Sequence, residues 1–394
     1  MNITCLKGYC LHCPVEVDGT PTTNTGKWST LDELGPLLHL RNLSLSFDVT
    51  SNSFEARAAR LTEKSHLTRF FLSCGYNWMD KATELDIKRI KDISELLQPP
   101  TCLDELRLEG YPCSRLPHWM TAMELPNLTR LLLKKFKYCE NLSSLGELPN
   151  LAIFHILEMP SINTIGPEFM GTSGGRVHGN KGKHALASTV AFPKLEHLEF
   201  HEFAMWENWQ WESKFHAMPC LQELLLVNCP KLITIPEGLS CHVIALKLLL
   251  IREADSLGSN CNSCSLQKLK INRCSSLKRI SDLPALEKLL VIDCPSLNVV
   301  ESLSSLQFMK IYDFEMKSLP EWLLESEKSP KPEKLEIYCC EDLFIQMCEM
   351  DEEEWPKILH LNHVEIHNQY EGEYAEHVSY TREPFSFTTF TLDQ

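Results

Sequence analysis

The feature that most constrains this chain is a spacing of apolar residues that is clearest at residues 286–297. There the sequence follows the order L-x-x-L-x-L-x-x-C-x-x-L, with Val291 in one of the leucine positions. Leu289 and Val291 are two residues apart, so in an extended strand their side chains point to the same face. A segment this short cannot bury such a face alone, and it therefore needs similar neighbours on both sides.

The same spacing recurs along most of the chain. When the first leucine-like residue of each copy is counted as zero, the residues at plus three and plus five are the expected strand core. Apart from one longer step between Leu151 and Leu195, successive copies begin roughly 20–29 residues apart, which is the period of leucine-rich repeats. The expected core pairs are Leu106/Leu108, Leu131/Leu133, Phe154/Ile156, Leu198/Phe200, Leu224/Leu226, Leu246/Leu248, Leu269/Ile271, Leu289/Val291, Met309/Ile311, Leu335/Ile337 and Val364/Ile366.

This period predicts an α/β fold, namely a leucine-rich-repeat solenoid shaped like a horseshoe. A parallel sheet is expected on the concave side, and helices, turns and loops are expected on the convex side. We expect the solenoid over residues 31–370, after a linker or disordered N-terminus at 1–30 and before a polar C-terminal tail at 371–394. The longer step contains a segment rich in glycine and lysine, which predicts an insertion loop at 171–190.

Composition narrows the class of protein. The formal net charge of -15 argues against a general nucleic-acid binder. No apolar stretch approaches the roughly 20 residues of a membrane helix, and the first residues lack the apolar run of a signal peptide. We therefore expect a cytoplasmic protein. Several of the seventeen cysteines occupy a repeat position that other copies fill with aromatic residues or methionine, which indicates buried thiols rather than disulfides.

The sequence predicts no enzyme, no cofactor and no metal site. The glycines near Lys183 do not match the phosphate-binding P-loop, and no G-x-S-x-G or H-E-x-x-H motif occurs. Two C-x-x-C pairs, at Cys10/Cys13 and Cys261/Cys264, lack a second pair at a convincing spacing for zinc. His197 and His201 are four residues apart, but on a strand and turn rather than on one helix face.

The candidate functional surface is the concave face. Residues between the inward leucines point outward, and successive repeats align them in columns. Their charges change sign along the chain, which suits a protein partner whose surface carries both positive and negative charges. The predicted protein-binding residues are Arg130, Lys134, His155, His197, Glu199, His201, Lys268, Lys270 and Asn272. The tryptophans Trp206, Trp209 and Trp211 are open to two interpretations, an interface hot spot or a part of the core.

Four stretches, at residues 106–120, 142–151, 165–171 and 191–200, resemble the repeats of plant nucleotide-binding leucine-rich-repeat disease-resistance proteins of the coiled-coil type. The resemblance covers about residues 31–370. It implies binding of a pathogen effector or a guarded host protein, and restraint of a nucleotide-binding switch domain. Because no P-loop is found, we expect the sensor portion only, without the nucleotide-binding domain. A generic leucine-rich-repeat scaffold or ubiquitin-ligase adaptor remains open as an alternative.

Overall fold

The structure is a computed structural model, and it forms two compact units, residues 1–219 and 220–394. Each unit is described by itself. The residues that the structure describes are 5–10, 31–47, 53–74, 83–142, 144–171, 190–211, 216–258, 263–368 and 376–390.

The first unit is built on a parallel sheet to which most repeats contribute one strand. The strands are β1 (Cys5–Cys10), β2 (Asn42–Phe47), β3 (Arg69–Cys74), β4 (Glu105–Glu109), β5 (Arg130–Lys134), β6 (Ile153–Leu157), β7 (Thr164–Ile165), β8 (His197–His201) and β9 (Asn208–Trp209). The main sheet has the order β1-β2-β3-β4-β5-β6-β8, while β7 and β9 form a separate parallel pair. Two helices, α1 (Ser53–Ala58) and α2 (Glu84–Leu96), lie in the connections.

The second unit also contains a parallel sheet, and its last two strands are antiparallel. Its strands are β10 (Glu223–Val227), β11 (Leu248–Arg252), β12 (Lys268–Asn272), β13 (Arg279–Ser281), β14 (Lys288–Ile292), β15 (Val299–Glu301), β16 (Phe308–Asp313), β17 (Lys334–Cys339), β18 (His363–His367), β19 (His377–Thr381) and β20 (Ser386–Phe390). Two helices, α3 (Glu237–His242) and α4 (Glu341–Cys348), lie in the connections. The main sheet runs parallel from β10 to β18 and ends in the antiparallel strands β19 and β20, whereas β13 pairs with β15.

The strands confirm the leucine-rich-repeat solenoid that the spacing predicted. In β5, Leu131 and Leu133 are buried while the residues on either side are partly or fully exposed. Parallel pairing places Leu131 beside Phe154 and Leu133 beside Ile156, so equivalent positions of neighbouring repeats meet. Each copy thus buries the apolar face of the next, which no single copy could do.

A recurring turn ends many of these strands. The residue directly after the strand has a positive φ, for example 58° at Lys135, 57° at Glu158 and 55° at Glu253. Its N–H donates to the last residue of the following strand, as from Lys135 to Leu157 at 3.0 Å. A left-handed conformation costs a non-glycine residue roughly 1–2 kcal/mol, and this hydrogen bond between repeats helps to offset that cost.

Two regions differ from the organisation expected at the ends of the chain. Strand β1, within the expected linker or disordered N-terminus at 1–30, pairs in parallel with β2. Strands β19 and β20, within the expected polar tail, form a hairpin whose Val378 and Tyr380 are buried. The alternation of polar and apolar residues around Val378 is a strand pattern. The rest of 1–30 and residues 172–189 of the expected insertion loop lie outside the described residues.

The repeat frame was wrong in one copy. We predicted the core pair Leu246/Leu248, but strand β11 buries Leu249 and Ile251 and leaves Leu248 partly exposed. Leu246 is also buried, but it occupies the zero position before the strand rather than a strand position. The physical reason is that this segment is an almost continuous apolar run, so two frames fit it equally well.

Candidate functional site

The outward side chains of the first unit form three columns across its main sheet. Strand pairing aligns Glu105, Arg130, Ile153 and His197 in the first column. The second column contains Arg107, Leu132, His155 and Glu199, and the third contains Glu109, Lys134, Leu157 and His201. We call these columns the exposed sheet face of the first unit. It presents acidic, basic and apolar groups within a few strands.

Six of the nine predicted site residues lie together on this face. Arg130 and Lys134 are on β5, His155 is on β6, and His197, Glu199 and His201 are on β8. The other three, Lys268, Lys270 and Asn272, lie on β12 of the second unit and are partly or fully exposed there. All nine stand at the outward positions of their strands, and their role in binding a protein stays a prediction.

His155, His197 and Glu199 converge more closely than the sequence suggested. The Nε2 atom of His155 is 3.9 Å from an Oε atom of Glu199, and the two histidine rings are 5.0 Å apart between centroids, at 67°. Burial lowers the pKa of His155 below its ordinary value; Glu199 opposes this shift, and the neighbouring His197 and Arg107 lower the pKa further. One donor atom from each of the three residues lies within 4.8 Å of the others, a spacing that a metal ion could bridge.

An ion-pair network organises the neighbouring part of the face. Glu105 lies 2.6 Å from a guanidinium nitrogen of Arg107, 3.5 Å from Arg69 and 4.0 Å from Arg130. The Glu105 side chain is only 12% exposed, whereas the three arginines are about half exposed or more. Exposed ion pairs contribute little to stability, so the main effect of Glu105 is to hold three arginine side chains near one another on this face.

An open groove lies over strands β2 to β5. Its volume is about 580 Å³, and it is lined by Phe71 and Leu132 together with charged groups of Arg69, Arg107 and Lys134. The residues of β3 and β4 were not among the candidates predicted from the sequence. The same rule would have found Arg107, because it stands between the buried Leu106 and Leu108.

The exposed sheet face of the second unit carries a different arrangement. The rings of Tyr312 and Tyr338 stack with centroids 4.3 Å apart, and Lys310 Nζ lies 4.8 Å from the Tyr338 centroid. Lys334 bridges Glu336 and Glu365 at 2.7 and 2.8 Å. Burial pushes the pKa of Glu365 upward, but hydrogen bonds from Lys334 and His363 outweigh it and hold the pKa below its ordinary value. None of these residues was among the predicted candidates.

The tryptophan cluster belongs to the core of the first unit. Trp206, Trp209 and Trp211 are 0%, 4% and 3% exposed. The Trp206 ring lies 4.8 Å from the Phe200 ring between centroids, and its indole N–H donates to the backbone oxygen of Asn208 at 3.0 Å. Of the two interpretations, the core is therefore the one that the structure supports.

Among the described residues, no helix combines the length and the apolar character needed to cross a membrane.

Comparisons with known proteins agree with the repeat fold. The family described as R13L1/DRL21 LRRs matches residues 27–159. Disease resistance RPP13-like protein 1 of Arabidopsis thaliana is 25% identical over 233 residues, which cover 56% of this chain and 21% of that protein. Disease resistance protein RGA2 of Solanum bulbocastanum is 26% identical over 230 residues, covering 58% of this chain and 21% of that protein.

The matched region thus spans about a fifth of the length of these two relatives, 21% in each case. The family match includes strands β2 to β6 of the first unit. Together, the repeat fold and these comparisons show a leucine-rich-repeat chain that is similar in sequence to plant disease-resistance proteins.

Proposed function

We propose that this chain is a protein-recognition module of a plant intracellular immune receptor and that it acts in the cytoplasm without catalysing a reaction. The observation that carries the proposal is the exposed sheet face of the first unit. There, charged side chains line a groove together with the apolar side chains of Phe71 and Leu132. Such a module would sense a pathogen effector or a guarded host protein and would restrain a nucleotide-binding switch domain.

The chemistry of the groove favours a protein partner. Phe71 and Leu132 offer apolar area, while Arg107, Glu109 and Lys134 place both signs of charge around it. Complementary charges mainly set specificity and the rate of association, and apolar contacts at the centre supply affinity. A nucleic acid would need a face that is mainly basic, and the formal net charge of -15 opposes that partner.

The restraint of a switch domain can be tested with a relative that already carries similar repeats. Disease resistance protein RGA2, with the region that matches this chain deleted, would be co-expressed with the full chain and its binding in trans measured by co-purification. We expect the double variant Arg107→Glu/Lys134→Glu to weaken binding at least tenfold, because like charges across an interface cost several kcal/mol. Arg115→Glu is the matched control, since Arg115 is exposed and lies outside the strands.

The three possible results separate the parts of the proposal. Loss of binding in the double variant, with binding kept in Arg115→Glu, would support recognition through this face. Equal binding by all three proteins would show that the partner uses another surface. If the unmodified chain does not bind, the restraint of a switch domain is wrong, and only effector or host-protein sensing would remain to be tested.

A further inference from the structure

Three side chains from two neighbouring strands meet on the exposed sheet face of the first unit. Parallel pairing of β6 with β8 sets the Cα of His155 opposite that of Glu199. His197 precedes Glu199 by two residues, so it points to the same side of the sheet. Neighbouring strands are only about 4.8 Å apart, which is why the donor atoms of all three residues lie within 4.8 Å of one another.

From this geometry we propose that His155, His197 and Glu199 bind a divalent transition-metal ion, foremost Zn²⁺. Two imidazole nitrogens and one carboxylate oxygen are a donor set that zinc takes in proteins, with a fourth position left for water or another ligand. The sequence predicts no metal site, because His197 with His201 and the cysteine pairs lack a metal-ligand spacing. The proposal does not depend on the proposed recognition role.

The donor atoms must come closer together to hold one ion, starting from separations of up to 4.8 Å. Metal–ligand bonds of about 2.0–2.2 Å place the donors of a tetrahedral zinc site roughly 3.4 Å apart. The present separation of 3.9 Å between His155 Nε2 and Glu199 is slightly wider. Both side chains are partly exposed, at 32% and 23%, so modest rotations could close the gap without moving the strands.

The surrounding charge also permits a cation. Arg107 is the nearby positive group that acts on His155, but its guanidinium is held by Glu105, at 2.6 Å from Nη2. Glu199 supplies a negative charge directly at the site. Mixed nitrogen and oxygen donors favour zinc, nickel and copper over magnesium, which prefers oxygen ligands and keeps its waters. Magnesium is therefore the ion that should fail to bind here.

The test is calorimetric titration of the full chain with Zn²⁺ at neutral pH, after removal of metal with a chelator. Because the seventeen cysteines can also take zinc, the informative quantity is the difference between variants. We expect His155→Asn and Glu199→Gln each to lose one zinc equivalent or to weaken it more than about tenfold, since even indirect partners of metal ligands cost 10–100-fold. His201→Asn, on the same strand but outside the cluster, should match the unmodified chain.

A second measurement separates this site from the thiols. Cobalt bound by nitrogen and oxygen donors gives visible absorption without the charge-transfer bands of thiolate ligands. We expect the two variants to lose part of the visible absorption while the thiolate bands stay unchanged. Melting curves in chelator would verify that the variants fold, and His197→Asn would replace any variant that does not. Equal zinc binding and equal cobalt spectra in all the folded proteins would overturn the proposal, as would magnesium binding with the same strength.

Discussion

The ammonium group of Lys64 donates a hydrogen bond of 2.6 Å to the backbone oxygen of Leu34, the last residue of the 3₁₀ helix Leu31–Leu34. A second hydrogen bond of 3.2 Å reaches the backbone oxygen of Leu37. Lys64 is completely buried, and this burial lowers its pKa, with Glu63 opposing the shift. One long side chain thus donates to two carbonyl groups, one at the end of that helix and one three residues after it, and the Leu34 oxygen also accepts from the Leu37 N–H at 3.0 Å.

Replacing Lys64 by methionine should destabilise the first unit. The change keeps most of the side-chain volume but removes two hydrogen bonds from a charged donor, and such a bond contributes roughly 1.5–3 kcal/mol. We expect the free energy of unfolding in urea to fall by about 2 kcal/mol or more. Lys88→Met, at an exposed position of helix α2, is the matched control and should change it little. Equal losses in the two variants would contradict a structural role for the Lys64 hydrogen bonds.

The repeat frame of strand β14 predicts opposite outcomes for two adjacent residues. Leu289 is 1% exposed and lies between Leu269 and Met309 of the neighbouring strands, whereas Lys288 faces outward. Leu289→Asp would bury an unpaired charge and should cost about 4 kcal/mol or more. Lys288→Asp should stay within about 0.5 kcal/mol. Thermal melting of both variants checks the frame, and similar melting temperatures would show that it is misassigned.

Most strands of the main sheet could be predicted from the sequence, because the alternation of apolar and polar residues is visible within each strand alone. In a strand such as β12, the alternation of buried and exposed residues fixes which way Lys268 and Lys270 point. That local rule failed around Leu246, where an almost continuous apolar run fits two frames. It also cannot assign β1, whose pairing with β2 joins segments that are distant in the sequence.

The sequence alone did not predict how closely the side chains of His155 and Glu199 approach each other. A repeat frame places His155 and Glu199 at the same outward position of successive copies, and the pairing of β6 with β8 agrees with it. It does not give the side-chain conformations that bring their donor atoms within 4.8 Å of one another. The groove residue Arg107, in contrast, was predictable, because it obeys the same alternation as the chosen candidates.

The corrected frame of strand β11 can be tested by truncating two neighbouring leucines. Leu249 is fully buried between Leu224 and Leu269 of the adjacent strands, while Leu248 is partly exposed. Leu249→Ala should lower the free energy of unfolding by roughly 2–5 kcal/mol, the usual cost of a core truncation. Leu248→Ala should cost less than about 1 kcal/mol. Chemical denaturation of the two proteins would return the reverse order if the original frame were correct.

His367 should make the second unit less stable in acid. Its ring stacks on Tyr338 with centroids 4.5 Å apart, and neither ring nitrogen has a hydrogen-bond partner among the described residues. Burial lowers the pKa of His367 below the ordinary 6.5; Glu365 and Glu336 oppose the shift, and His377 and Lys310 add to it. The folded state therefore prefers the neutral imidazole, more strongly than the unfolded chain does.

The sign of the pH effect follows from that preference. Above the ordinary pKa of 6.5 the ring is neutral in both states, and the contribution of His367 to stability is fully present. As the pH falls from there through the lower pKa of the folded state, the unfolded chain binds more protons and the contribution is lost. His367→Phe keeps a stacking ring that cannot take up a proton. We expect its melting temperature to decline less than that of the unmodified chain between neutral pH and about pH 5, and parallel declines in the two proteins would show that another group is responsible.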